Sequence, residues 1–286
     1  MRNLDDVFSP AALCLLLGCM LTSGSINAHD GHQKAGDWVF TLGAGVLTTP
    51  NYTGDDANQL ILAPSVRASD GAHWSIGFLE GVQYTVNPEQ NWQWGLALAP
   101  SLGRDTDGKS PLRIVGDGTN DLVGLAETDT AVAVRLFTRY KLDAWSLDAQ
   151  VQQTFTDESQ SLLSIGIRRS GRIRTMGPPL IVSGGMRLRI GDESAINTLV
   201  GVSEAQAVSS GLTAYRPDSG VVAVGLNGAL ILPLSRKLSI LSTLAVERLG
   251  DELADSSLID NRGNAMQVSG GLFINYQLGA PRNRQR

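Results

Sequence analysis

Polar and apolar residues alternate along most of the chain after residue 36. In the segment "TAVAVRLFTRYKL", at 130–142, the even positions are mostly apolar, whereas Arg135, Arg139 and Lys141 occupy odd positions. A period of two places these sets on opposite faces of one β-strand. The same pattern returns in "NWQWGLALAPSL", "WSLDAQVQQTF" and "LIVSGGMRLRI". The chain is therefore predicted to be all-β, with one apolar and one polar face on each strand.

Twelve segments follow this pattern, and several are longer than the five or six residues that are usual for globular strands. They lie near 37–46, 59–68, 73–86, 91–102, 129–142, 144–156, 161–168, 179–190, 196–203, 219–232, 237–249 and 264–278. Tilted strands of about nine to eleven residues are long enough to cross a membrane as a barrel wall. After residue 28, no apolar run is long enough for a helical span. We predict a transmembrane antiparallel β-barrel of about 12 strands over residues 37–278.

Alternation by itself also fits a soluble β-sandwich, which buries its apolar faces against each other. The aromatic residues favour the membrane, because they cluster at strand ends as in an interfacial girdle. They are Trp38, Trp74, Tyr84, Trp92, Trp94, Tyr140, Trp145 and Tyr276. Short turns at 87–90, 143–144 and 235–237 contrast with long hydrophilic loops after 102, at 203–220 and at 250–264. Such contrast is typical of a barrel with a turn end and a loop end.

The first 28 residues differ from the rest. An apolar core from Ala11 to Thr22 is followed by small residues ending at Ala28. This is the pattern of a cleaved secretory signal peptide over 1–28, leaving a flexible mature N-terminus at 29–36 and a basic tail at 279–286. Both cysteines, Cys14 and Cys19, lie in the removed segment, so the mature chain has no thiol chemistry. Lipidation at Cys19 is an alternative, although the residues before it fit that signal poorly.

Composition restricts the classes of partner. The 286 residues include 32 glycines, carry a formal net charge of −5, and contain 18% charged residues. Because no basic tract stands out, nucleic acid is not expected as a partner. The high glycine content is typical of turns and of sheet positions where backbones pack closely.

Three loop motifs resemble those of the MipA/OmpV family of outer-membrane proteins. The first is "LGAGVLTTPNYTGDDANQLILAPSV", with Leu42, Gly43, Gly45, Pro50, Tyr52, Gly54, Asp55, Asp56 and Pro64. The second is "GVSEAQAVSSGLTAYRPDSG", with Gly201, Val202, Ser203, Ser209, Gly211, Tyr215, Pro217 and Asp218. The third, in "ERLGDELADSSLIDNRGN", carries Arg248, Leu249, Asp251, Asp255, Ser256 and Ser257. Ser257 stands where the family usually has proline, and the chain continues past the last strand instead of ending on an aromatic residue.

The resemblance implies an outer-membrane β-barrel without enzymatic activity or a cofactor. In the family's namesake, an MltA-interacting protein, the implied role is a scaffold that links murein-synthesising and murein-cleaving enzymes. By analogy the partners are outer-membrane lipid, a periplasmic murein synthase and a lytic transglycosylase. Three alternatives stay open: a small porin or solute channel, an adhesin, and a barrel hydrolase of lipids.

Few residues point to catalysis or metal binding, and we predict no catalytic, cofactor-binding or metal-binding residue. The candidates are His29 and His32 near the mature N-terminus, the pair His73 and Ser75, the segment Asp105–Ser110, and the acidic pairs Asp55/Asp56 and Asp251/Glu252. The His–Ser pair lacks a recognisable residue to orient the imidazole. The Asp105–Ser110 segment lacks the later ligands of a calcium loop.

Charged residues on the polar strand faces are a stronger signal. They are Arg135, Arg139, Lys141, Asp148, Arg168, Arg187 and Arg189. Inside a barrel of about twelve strands, these side chains either pair with acidic loop residues and plug the interior, or line a narrow pore.

Overall fold

The computed structural model describes residues 38–78, 80–101, 113–115, 119–127, 130–155 and 159–279. The predicted signal peptide at 1–28 and mature N-terminus at 29–36 lie outside the described residues. Of the predicted basic tail at 279–286, the described part is Gly279.

Thirteen strands form a single antiparallel sheet. They are β1 Val39–Pro50, β2 Asn58–Ser69, β3 Trp74–Gly77, β4 Gly81–Val86, β5 Trp92–Ser101, β6 Arg113–Val115, β7 Ala131–Leu142, β8 Trp145–Phe155, β9 Gln160–Ile173, β10 Leu180–Gly191, β11 Gly220–Pro233, β12 Leu238–Leu249 and β13 Met266–Leu278. The first strand pairs with both β2 and β13, which closes the sheet into a 12-stranded barrel. The three-residue β6 lies outside this count, against β2. The predicted fold class is therefore confirmed.

On most strands the two faces are as predicted. The lumen side of β1, β2, β12 and β13 differs, because it carries a buried apolar cluster of Leu47, Ile61, Ala63, Ala245 and Phe273. In β7, Val132, Leu136 and Tyr140 point outward and are exposed, whereas Ala133 points inward and is buried. The outward apolar residues have no second sheet to cover them, because the barrel is closed on itself. A continuous exposed apolar band of this kind requires a hydrocarbon surround. The soluble sandwich is thereby excluded, and the barrel is a membrane protein.

Most of the outward aromatic residues lie at one end of the barrel, whereas Phe155 is exposed at the opposite end of β8. All five tryptophans and Tyr84, Tyr140 and Tyr276 are exposed there. Both barrel termini lie at the same end, since Phe40 pairs with Leu278. We call this the terminal end and the opposite one the loop end. The predicted aromatic girdle is confirmed, and it anchors the barrel at one membrane interface.

Connection lengths differ between the two ends. The terminal end has short turns at 70–73, 87–91, 143–144, 174–179 and 234–237. The loop end carries the longer connections, at 102–130, 192–219 and 250–265. In barrels of the outer-membrane type, the end with short turns is the periplasmic one and the end with longer loops is extracellular, so the terminal end corresponds to the periplasmic end of such barrels.

Two predicted strands are wrong. The segment 196–203 is not a strand, because helix α1 occupies Glu193–Val200. The signals for this helix are local: Asp192 caps its first turn by accepting from the Ala195 amide at 2.8 Å, and Ile196 and Val200 lie on one buried face.

The segment 73–86 is not one strand but the hairpin of β3 and β4. Gly81 sits at positive φ, +74°, where the chain turns back, a conformation that glycine adopts without strain. The two errors cancel, so that the predicted number of strands is correct although two elements are not.

Three further helices lie in the loop-end connections. They are α2 Glu204–Ser210, α3 Asp251–Ala254 and α4 Ser257–Arg262. Among the described residues, none of the helices has the length and apolar character that a membrane span needs.

Candidate functional site

The loop-end connections pack into one structure, which we call the loop-end cap. It consists of residues 51–57, 119–125, 192–219 and 250–265. Two apolar clusters hold it together. One contains Ile196, Val200, Val222, Ala223, Leu249, Leu253 and Ile259, and the other contains Tyr52, Leu122, Leu125, Val202, Leu212 and Leu258. The three loop motifs therefore belong to one packed unit, although Tyr52 of the first and Arg262 of the third are 210 residues apart in sequence.

Tyr52, from the first motif, ties three connections together. Its hydroxyl lies 3.1 Å from the carbonyl oxygen of Arg262 and 3.4 Å from a carboxylate oxygen of Asp121. The guanidinium of Arg262 in turn donates to the backbone carbonyls of Asp121 and Ser210, each at 2.6 Å. An aromatic ring with a polar tip suits this position, because the ring is buried and the hydroxyl reaches polar partners.

Gly54 and Asp55 fix the turn beside that tyrosine. Gly54 has φ of +99°, a backbone conformation that disfavours residues with a side chain. A Cβ at this position would also lie 2.5 Å from Ile259 and clash with it. Its amide donates to the Gln267 side chain at 3.1 Å. The Asp55 carboxylate accepts from the Ala57 amide at 2.8 Å and from Asn51 at 2.9 Å, as in an Asx turn.

The second motif builds the connection between α1 and β11. Ser203 and Gln206 form a reciprocal capping box at the start of α2. Val202 and Tyr215 pair through their backbones, and the Tyr215 hydroxyl donates to the Glu252 carbonyl at 3.0 Å. This tyrosine joins the second motif to the third.

The third motif completes the cap. Ser256 is fully buried, caps α4, and donates from its hydroxyl to the Val200 carbonyl at 2.8 Å. Ser257 occupies the first position of α4, where proline is favoured because no backbone donor is needed. Its hydroxyl donates to the Thr213 carbonyl at 2.6 Å, a bond that a proline lacks.

The charged residues that were predicted to point inward do face the lumen. Among the described residues, their acidic partners include residues of the barrel wall. Arg187 lies 3.2 Å from Asp148, and Arg189 lies 2.6 Å from Glu247. Each pair reaches across one intervening strand. A third pair, Arg67 and Glu80, lies 3.5 Å apart beside the β3–β4 hairpin.

Glycines make room for these crossings. A Cβ on Gly166 would lie 3.0 Å from the Asp148 carboxylate, and one on Gly225 would lie 2.5 Å from Cγ of Glu247. The wall is thus shaped around the ion pairs.

A match to a known protein family decides which family the chain belongs to. The family described as MltA-interacting protein MipA matches residues 42–278. The chain belongs to the MipA family. The match spans all but the first three residues of the barrel, together with the loop-end cap, and all three motifs lie within it.

Solved outer-membrane proteins are similar to this MipA family member at low identity. A bacterial polysaccharide outer membrane secretin aligns at 11% identity and a TM-score of 0.39, over 85% of this chain and 99% of that one. Pseudomonas aeruginosa OccK8 (OprE) aligns at 10% identity and 0.32, over 86% and 98%. Neisserial surface protein A aligns at 8% and 0.25, over 85% and 97%. A comparison with curated proteins finds no matching relative.

Burial within the cap of this MipA family member changes the acidity of three groups. Burial raises the pKa of the Tyr52 hydroxyl, and the nearby carboxylates of Asp55 and Asp121 raise it further. Burial and Glu252 likewise raise the pKa of Tyr215. Both hydroxyls therefore stay protonated and act as donors. Burial also raises the pKa of Asp55, in spite of the opposing bonds from Ala57 and Asn51.

Because the pKa of Asp55 is raised, we expect acidification to stabilise the turn that contains this residue. A carboxyl group whose folded-state pKa exceeds its unfolded value binds more protons when folded. Stability from this group therefore increases as the pH falls from neutral through the folded-state pKa, which lies above 3.8. We expect hydrogen exchange at the Gly54 amide, corrected for the intrinsic rate, to slow over that range. Asp55→Asn should abolish this pH dependence, whereas Asp56→Asn, at an exposed neighbour, should retain it; equal behaviour of both variants would contradict the assignment.

Other candidate residues are dispersed. His73 is exposed in the turn before β3, where its Nδ1 lies 2.8 Å from the Thr85 carbonyl and its ring stacks on Tyr84, while Ser75 is buried. Asp251 begins α3, and Glu252 accepts from the Asp218 amide. His29, His32 and Asp105–Ser110 lie outside the described residues. Within the described part of the chain, no group of three or more His, Cys, Asp or Glu side chains is arranged to hold a metal ion.

Sequence reasoning missed Arg67, Glu80 and Glu247 as charged residues facing the lumen. Arg67 and Glu247 have the inward parity of their strands, so strand alternation alone could have indicated them. Glu80 lies in the turn of a hairpin that was predicted as one strand, which concealed it.

Proposed function

We propose that this MipA family barrel is a non-enzymatic scaffold that holds a murein-cleaving and a murein-synthesising enzyme at the periplasmic side of the outer membrane. The observation that carries this proposal is the family match over 42–278, because the family's description names an interaction with MltA. Export through a signal peptide cleaved near Ala28 is part of the same proposal.

The terminal end offers a surface for periplasmic partners. The β9–β10 hairpin continues past β8, whose last pair with β9 joins Trp145 to Arg169. The hairpin then ends in a turn at 174–179 that presents Arg174 and a fully exposed Met176. Arginine and methionine are enriched at protein interfaces. We call this projecting turn the rim turn, and we assign the partner contact to it.

A solute channel is the second candidate function. Among the described lumen-facing residues, cations outnumber anions, and this is the observation that favours it, because rings of arginine and lysine select anions in pores. Conductance of the folded chain in planar bilayers distinguishes a channel from a scaffold that conducts nothing.

Capture of purified enzymes tests the scaffold and the rim turn together. The folded chain, immobilised in detergent, is expected to retain a lytic transglycosylase and a bifunctional murein synthase. Arg174→Glu combined with Met176→Ser should weaken capture of at least one enzyme about tenfold, as expected for loss of roughly 1.4 kcal/mol of binding energy.

The matched control changes one exposed arginine and one exposed apolar residue at the opposite end. Arg216 and Val208 are both exposed in the loop-end cap, so Arg216→Glu combined with Val208→Ser should leave capture unchanged. Absence of capture by the unaltered chain would contradict the scaffold. Equal losses in both variants would reject the rim turn as the contact. Hydrolysis of lipid by the folded chain would contradict the non-enzymatic assignment.

A further inference from the structure

Arg169 is an exposed cation on the lipid-facing surface of the barrel wall. It has the outward parity of β9, in line with the exposed Ile167 and Ile173. Its guanidinium lies 5.5 Å from the ring centroid of Trp145, the residue opposite it in the β8–β9 register. Among the described residues, no carboxylate lies within ion-pair distance of this guanidinium, that of Asp143 in the neighbouring turn included.

The membrane must therefore supply the counter-charge of Arg169. Hydrocarbon solvates a guanidinium group poorly, so an arginine on the outer wall extends towards the headgroups of the lipids. Trp145 belongs to the aromatic girdle, which puts its partner Arg169 at the level of the membrane interface. The negative charges at that level are the phosphate groups of lipids, which attract basic side chains.

A shallow groove begins beside Arg169 on the same outer surface. Arg169 pairs with Gly184 of β10, and Gly184 pairs with Gly228 of β11. Within 4 Å, a Cβ added to Gly184 would meet only the carbonyl oxygen of Asn227, at 3.8 Å. One added to Gly228 would meet only that of Ser183, at 3.6 Å. The floor of the groove is therefore bare backbone over two neighbouring strands.

Large apolar side chains form the two sides of this groove. Met186 pairs with Leu226 on the side towards the loop end, and Val182 pairs with Leu230 on the side towards the terminal end. Met186, Leu226 and Leu230 are exposed on the outer surface. A groove with an apolar rim and a flat floor suits a hydrocarbon chain, which gains close contacts along its length.

The groove leads away from the interface towards the membrane interior. Its row of paired residues starts at Trp145 in the girdle and continues from Gly228 to Leu244 on β12. Leu244 is six residues from Leu238, which pairs with the girdle residue Tyr276. The row thus starts within the girdle on β8 and lies well beyond it on β12, as expected for tilted strands.

We propose that this surface binds one anionic diacyl phospholipid. The headgroup phosphate lies on Arg169, and one acyl chain lies in the groove over Gly184 and Gly228. Guanidinium N–H groups bond phosphate oxygens in pairs, and the ring of Trp145 fixes the plane of the guanidinium. The positive charge selects a lipid of net negative charge over a zwitterionic one. The site lies on the wall of the barrel, so it depends neither on the scaffold role nor on the rim turn.

Titration of the detergent-folded chain with dioleoyl phosphatidylglycerol tests the site, with bound lipid counted by native mass spectrometry. The unaltered chain is expected to bind this lipid about fivefold more tightly than dioleoyl phosphatidylcholine, which is the contribution of one basic residue at an anionic lipid surface. Arg169→Gln should lose the preference. Arg236→Gln, which removes an exposed cation from a turn at the same end, should retain it. Glycerophosphate, which carries the charge but no acyl chain, should not compete.

Filling the groove provides a second test. Gly184→Leu combined with Gly228→Leu should weaken binding of phosphatidylglycerol at least about twofold, because the acyl chain loses its contacts with the floor. Both side chains point towards lipid and have room, so unheated migration as a compact barrel on a gel should be unchanged. An interfacial anchor without lipid specificity predicts equal binding of both lipids. That result, equal preference in Arg169→Gln and Arg236→Gln, full affinity in the leucine variant, or competition by glycerophosphate would each overturn the proposal.

Discussion

Glu247→Gln is expected to lower the free energy of unfolding of the barrel by about 3–5 kcal/mol, the cost typical of removing one partner from a buried ion pair. Arg189 and Glu247 are only 5% and 6% exposed, and their charged atoms lie 2.6 Å apart. The amide keeps the shape of the glutamate but not its charge. The guanidinium would then stay desolvated beside a neutral group, which is where the cost arises.

Replacing both members of the pair should recover most of that loss. In Arg189→Met combined with Glu247→Leu, neither charge of this pair remains, and apolar side chains of similar volume fill the space. The midpoint of urea unfolding in lipid vesicles measures each variant, and the double-mutant cycle gives the coupling energy. Glu204→Gln, at an exposed position on α2, is the control and should change stability by less than about 1 kcal/mol.

A loss in Glu247→Gln no larger than in Glu204→Gln would contradict this account. It would mean that water in the lumen solvates Arg189 well enough to replace the carboxylate. The experiment therefore also shows whether water reaches the inner wall of the barrel near Arg189.

The barrel could be predicted from sequence because its main requirement is local. Lipid on one side and a polar lumen on the other impose a period of two on every strand, and residues such as Val132 and Arg135 show that period directly. The number and limits of the strands are harder to predict from sequence than the barrel itself. The β3–β4 hairpin was concealed because its turn is short and follows an uninterrupted alternating pattern.

The cap could not be assembled from sequence in the same way. Its motifs were recognised as loops, but their mutual packing depends on contacts between residues about 210 positions apart, such as Tyr52 and Arg262. Helix α1 was missed because its apolar residues also fit a short strand, and the burial of Ile196 under the cap decides between the two. The lumen pairs depend similarly on register, since Arg189 meets Glu247 across an intervening strand.

Leu258→Ala is expected to loosen the loop-end cap while leaving the barrel wall closed. Leu258 is fully buried in the cluster that contains Tyr52, Leu122 and Leu212. Truncating a buried leucine to alanine costs about 2–5 kcal/mol, because transfer energy is lost and a cavity remains. Hydrogen exchange at the amides of α2 and α4 should accelerate, and proteases should cut the cap faster. Val208→Ala, at an exposed position on α2, is the control and should change neither.

The wall should survive because its stability has a different source. Every barrel strand pairs with two neighbours, and the outward apolar face is covered by lipid whether or not the cap is packed. Unheated Leu258→Ala should therefore still migrate as a compact barrel on a gel. If the cap closes a conducting lumen, the variant should also show higher conductance in planar bilayers than Val208→Ala. Loss of compact migration together with the cap would contradict this separation, and would show that cap and wall unfold as one cooperative unit.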